Sequence, residues 1–193
     1  MHRSGDVQQI YQTTGVPLHQ INGAQASRSV TQIGTAGVQF FNSDKGFLFA
    51  SIGGTNLFKQ ITIQRFGPDA TCTFTTGSRA GATNYSDLWW NANESGWGVN
   101  FAQQGDLIFA TWFTYANDGS AIWLVSDGLQ RTSPGVFTGP LYLTTGKRPQ
   151  DISGTTSILT VGSAGTMTVS FSDGEHGTVS YNVAGTSGSK AIT

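Results

Sequence analysis

Apolar and polar residues alternate along most of the chain, and no stretch carries a helical period. Thr166–Ser172 sets Met167, Val169 and Phe171 against Thr or Ser neighbours, and Thr178–Val183 does the same with Val179, Tyr181 and Val183. A period of two describes a half-buried strand with one face to the core and one to water. The turn signals lie between such runs. Asp173-Gly174, Gln104-Gly105-Asp106 and above all Asn117-Asp-Gly-Ser120 read as hairpins. Leu107–Ala116 and Ala121–Ser126 are the strands that the last of these joins. Val136–Leu143 predicts a further strand, with Gly139-Pro140 marking a bulge or a sheet edge. About six to eight consecutive strands therefore follow residue 85, joined by short connections. The expected fold is all-β: an antiparallel meander forming a small up-and-down barrel or a curled sheet, because closure removes exposed edges.

The pattern also returns on itself. Tyr11-Gln-Thr-Thr-Gly15 reads again as Tyr142-Leu-Thr-Thr-Gly146, and Lys59-Gln-Ile-Thr62 as Lys190-Ala-Ile-Thr193. Both offsets are equal (142 − 11 = 190 − 59 = 131). Between them Gly34-Thr-Ala-Gly37 resembles Gly162-Ser-Ala-Gly165, and Ser43-Asp44 resembles Ser172-Asp173, at offsets a few residues smaller. A fixed period is the signature of repeated architecture. It divides the chain into a partial unit at 1–74 (a trailing half), a linker at 75–84 and a full unit at 85–193. Both ends read as cut from a longer protein.

The copies differ in one respect that matters for packing. Thr178, Ser180 and Ser189 form a polar face in the second copy, and Phe47, Phe49 and Phe58 stand at those places in the first. A strand apolar on both faces needs cover on both. The run Leu107–Tyr115 is also apolar on both faces, so Phe109 and Phe113 are the expected partners of Phe47, Phe49 and Phe58, within the chain or across a self-association interface.

Charge narrows the function classes. Only 11% of residues are charged and the formal net charge is −1, so there is no basic patch for nucleic acid. No apolar run reaches membrane-spanning length. The single cysteine, Cys72, has no partner within the chain. Met1–Asp6 lacks the apolar stretch of a signal peptide. No phosphate loop, nucleophile elbow or CxxC motif occurs, and the scattered His2, His19 and His176 form no ligand set. No cofactor and no metal is expected.

All five tryptophans fall between residues 89 and 123. Trp112 and Trp123 sit mid-strand, where large rings fill a small barrel. Trp89, Trp90 and Trp97 flank a Gly-containing turn, where they offer a stacking platform for a glycan or small ligand at a barrel mouth. Asn91, Asn93 and Glu94 would supply its hydrogen bonds. Asp87 and Glu94 form the one carboxylate pair that glycoside hydrolysis could use, but two acids in a loop are far more often turn-forming.

The strings Asn93-Glu-Ser-Gly-Trp-Gly98, Gly105–Tyr115, Trp123-Leu-Val125, Gly139–Gly146 and Gly188–Thr193 resemble a repeated domain of secreted proteobacterial proteins. That resemblance implies a β-rich extracellular or cell-envelope module beside other copies of itself, and brings no activity and no catalytic residues. The expectation is a non-enzymatic structural or adhesive module, with glycan binding as the alternative and a glycoside hydrolase as the remote one.

Overall fold

The protein is all-β. A computed structural model describes residues 7–21, 23, 28–62, 77–148, 151–152 and 159–193. Cys72, His2, the start of the 75–84 segment and most of the connection after Lys147 lie outside them. Strands β1 (Gln8–Thr14), β2 (Ser29–Phe40), β3 (Lys45–Ile52) and β4 (Thr55–Thr62) form a four-stranded sheet in chain order. A second sheet holds β5 (Asp87–Trp89), β6 (Gly98–Gln104), β7 (Leu107–Tyr115) and β8 (Ala121–Ser133). It continues through β9 (Val136–Gly146), β10 (Leu159–Phe171), β11 (Gly177–Val183) and β12 (Thr186–Ile192), again in chain order. All pairings are antiparallel, and the short connections such as Gly105–Asp106 and Ala184–Gly185 admit no other.

The eight-stranded sheet curls until its edges meet. Just beyond β5 and β12, Trp90 N–H donates to Thr193 O at 3.3 Å and Thr193 N–H to Trp90 O at 2.8 Å. The concave face is packed with the alternate residues of each strand. Val99, Phe101, Ile108, Ala110 and Trp112 meet Phe137, Leu141, Met167, Val169, Val179 and Ile192, all buried. Each large apolar side chain so removed from water stabilises the fold by about 1.5–3 kcal/mol.

β9 is a central strand, not an edge. Its proline is tolerated because pairing with β8 breaks there: Val125 pairs with Tyr142, and the ladder resumes only at Gln130 and Thr138. Pro140 lies inside that gap, where no amide is needed. Gly139 is needed there as well, since a Cβ would lie 2.7 Å from Gly128 O.

Pairing in β1–β4 matches that in β9–β12 residue for residue at one offset. Gly34 pairs with Ile10 and Ile52, and Gly165 (165 − 34 = 131) pairs with Leu141 and Val183. Both copies place a bulge in the same spot, skipping Ile33 in one and Ala164 in the other. Both turn with two consecutive positive φ angles, 55° and 80° at Gly53 and Gly54, 48° and 81° at Ala184 and Gly185. The smaller offsets read from Gly34–Gly37 and Ser43-Asp44 are thereby corrected. Gly34 corresponds to Gly165, not Gly162, because the ladders keep the offset of 131 on both sides of the β1–β2 and β9–β10 connections, which are therefore equal in length.

Candidate functional site

One end of the curled sheet is closed by the other copy. Between β1 and β2 the chain makes a 3-10 turn, Leu18–Gln20, and Leu18 and Ile21 join the core cluster with Trp97, Trp112 and Tyr181. Gly15 N–H donates to Gly119 O at 3.1 Å, and the Tyr115 ring lies against Gly15. Lys190 Nζ donates to Ile21 O at 3.1 Å and pairs with Glu94 at 2.9 Å, with the two side chains 15% and 17% exposed. Glu94 also accepts the Trp97 Nε1–H at 3.0 Å. Burial, and then the Glu94 charge, push the Tyr181 phenol above its ordinary pKa.

The exchange is reciprocal. Lys59 (190 − 131 = 59) donates to Ile152 O at 2.7 Å, and Ile152 (21 + 131 = 152) is the counterpart of Ile21. Each copy's last strand thus holds the other copy's loop. Inter-unit packing therefore runs through Leu18 and Ile21, residues the alternation pattern did not single out because they lie outside any strand. Phe47 instead stacks on Phe58 with ring centres 4.9 Å apart and tilts against Phe41 at 5.2 Å. Phe49 covers Gly37 across the ladder.

The Trp platform divides. Trp89 is buried and donates to Tyr85 O at 2.9 Å, Trp97 is buried on Glu94, and only Trp90 faces solvent. Asn91 shapes the turn: its carbonyl oxygens accept the backbone N–H groups of Asn93 and Glu94, both at 2.9 Å. The two carboxylates do not face one substrate. Asp87 is engaged by the Arg79 guanidinium and Glu94 by Lys190 and Trp97.

Trp123, expected in the core, stands half-exposed on the convex face, while Trp112 is buried as expected. The register explains this. Trp123 pairs with Phe113, and Phe113 alternates with the buried Trp112 and Thr114. Gly98, opposite Phe113, leaves the space beside that ring open. Trp90, Phe113 and Trp123 therefore line one groove of about 350 Å³, with Thr13, Arg28 and Ser95 among its polar neighbours and no acidic side chain. Inward alternation of Leu124 and Ser126 was the sequence signal that could have placed Trp123 outside.

The far end of the sheet is fastened by the segment before β5. Gly174 N–H donates to Ala80 O at 3.0 Å, and Arg79 N–H donates to the Glu175 carboxylate. That amide, and next the Ser78 hydroxyl, hold the Glu175 carboxyl below the usual range. Asp173 is lowered first by the Glu175 amide, then through the hydrogen bond and charge of His176. Residues 77–84, expected as a linker, thus tie down the β10–β11 turn. Tyr85 stacks flat on Phe171 behind them, with centres 3.9 Å apart.

Among the described residues no three His, Cys, Asp or Glu side chains gather as a metal site, and no helix is long and apolar enough to cross a membrane. No protein-family model matches the chain, and no curated protein or solved structure matches it either.

Proposed function

We propose that the protein is a non-enzymatic structural module that associates with neighbouring β-units through aromatic faces and strand edges. The observation that carries this reading is the exposure of apolar side chains on both faces of β1–β4. Val38 and Phe40 are 40% and 55% exposed on one face, and Phe58 is 67% exposed on the other. Apolar surface of this kind on a small sheet is the usual mark of an interaction site. Engagement of Asp87 and Glu94 in ion pairs supports a non-catalytic role. Low charge and the resemblance to secreted β-domains support an extracellular or cell-envelope setting.

Light scattering over a concentration series tests this. The native chain is expected to gain mass with concentration. A variant carrying Phe47→Thr and Phe58→Ser, the residues of the second copy at Thr178 and Ser189, is expected to remain monomeric. A native chain that stays monomeric throughout sinks the reading.

The groove favours a second reading, glycan binding at Trp90, Phe113 and Trp123. Flat aromatic faces beside hydroxyl and guanidinium donors suit a sugar ring, and Arg28 without an acidic neighbour in the groove suits an acidic one. Titration with oligogalacturonate is expected to quench tryptophan emission in the native chain and not in Trp123→Ala. Equal responses from both proteins would reject the groove as the site.

A further inference from the structure

We propose that the face of β1–β4 that carries Val38, Phe40 and Ile61 is a seat for a second leading half: a four-stranded meander of the β5–β8 kind with an acidic residue at the place of Glu94. This rests on the assembly reading and names its partner. Within the chain, the trailing half β9–β12 shows what covers such a face. Val169, Phe171 and Ile192 are buried there beneath β5–β8. Subtracting 131 from each gives Val38, Phe40 and Ile61, the same three residue types, on strands with the same register. Val169 is 0% exposed and Val38 40%; Phe171 is 8% exposed and Phe40 55%. Sequence and register give β1–β4 the same core-facing surface, and the described residues supply no second cover for it.

Lys59 adds the polar half of the match. Lys190 has two kinds of partner, the Ile21 carbonyl from the other copy and Glu94 from the leading half. Lys59 has the first kind, Ile152 O at 2.7 Å, and no described carboxylate pairs with it. An incoming leading half would bring the missing carboxylate through its own Asn-Glu-Ser-Gly-Trp-Gly turn. The edge of β1 from Gln8 to Gln12 is the place for its last strand, as β8 pairs with β9, while Thr14 at the end of that edge already bridges Ser120. Ala36 and Ala50 replace Met167 and Tyr181 in the seat, so a fitting partner carries larger side chains opposite them than β5–β8 does.

The test is a chain with residues 77–135 repeated ahead of residue 5, the position that corresponds to Val136 (136 − 131 = 5). Hydrogen exchange of amides 29–62 is compared with the 193-residue chain at equal, low concentration. Occupancy of the seat is expected to slow exchange in that segment by about tenfold or more. Val38→Asp is expected to leave the original chain's exchange unchanged and to abolish the gain in the extended chain. Val38→Thr, of the same shape, is expected to reduce it in part. Replacing the added copy's equivalent of Glu94 with Gln is expected to weaken the gain, because Lys59 then lacks its carboxylate. Unchanged exchange in 29–62, or a gain insensitive to Val38, overturns the proposal. So does protection that rises with concentration in the original chain and gains nothing from the extension, since a second copy would then be the occupant. Monomeric behaviour of the original chain sinks the assembly reading alone, because the extended chain needs no association.

Discussion

Leu18→Ala is expected to lower the unfolding free energy of the eight-stranded sheet by about 2–5 kcal/mol, although Leu18 belongs to neither sheet. The side chain is only 6% exposed and lies in the same cluster as Trp97, Trp112 and Tyr181. Removing it forfeits the transfer free energy of the isobutyl group and leaves a void under rings that cannot move far, because Trp97 is hydrogen-bonded to Glu94 and Trp112 sits mid-strand. Urea unfolding followed by tryptophan emission reads the effect directly, since every tryptophan is in the second unit. His19→Ala, one residue along and exposed, should stay within about 0.5 kcal/mol of the native chain. Similar small shifts for both variants would show that the 3-10 turn rests on the sheet without contributing to its core.

The result bears on how the two copies depend on each other. The sheet's concave face is filled by its own strands at mid-height, but its Trp97 end is finished by residues that precede β5 by more than sixty positions. A boundary drawn at the linker separates two stretches of sequence, not two packing units. Sequence pattern reveals strands because each strand carries its period locally. It does not reveal a plug, because Val16–Ile21 has no period and its apolar residues gain meaning only from the cavity they enter. For that reason the curled antiparallel meander was legible in advance and the inter-unit contact was not.

The aromatic residues show the same limit. Trp112 lies in the core, as its mid-strand place predicts, and it shares the inward face of its strand with Ile108 and Ala110. Trp123 is equally large and equally mid-strand, yet its neighbours Leu124 and Ser126 occupy the inward positions and leave it outside. Nearness to a turn predicts exposure for Trp89 and Trp97. Both turn inward and bond their indole N–H groups, to Tyr85 O and to Glu94, as buried tryptophans generally must. The exposed pair Phe113 and Trp123 follows from cross-strand register, and register is a property of two strands that neither shows alone.

The ion pair that locks the plug is expected to behave as a coupled unit. Lys190→Met and Glu94→Gln should each destabilise the protein by about 3 kcal/mol, because either leaves a charge in a largely water-excluded site. Lys190→Met leaves the Glu94 carboxylate with Trp97 Nε1–H as its one remaining side-chain donor among the described residues and removes the Lys190 donor from Ile21 O. Glu94→Gln leaves the Lys190 ammonium with the neutral Ile21 carbonyl and no carboxylate among the described residues. The double variant should cost less than the sum of the singles by about 1–3 kcal/mol, because no uncompensated charge remains. Lys59→Met supplies the internal comparison. Lys59 holds the corresponding loop by Ile152 O at 2.7 Å but neutralises no described carboxylate, so its loss should cost about 1 kcal/mol, the worth of one hydrogen bond. Strict additivity at Glu94 and Lys190 would mean that water screens the pair despite its burial. Equal losses at Lys59 and Lys190 would mean that the loop contact, and not the carboxylate, sets the strength of the lock.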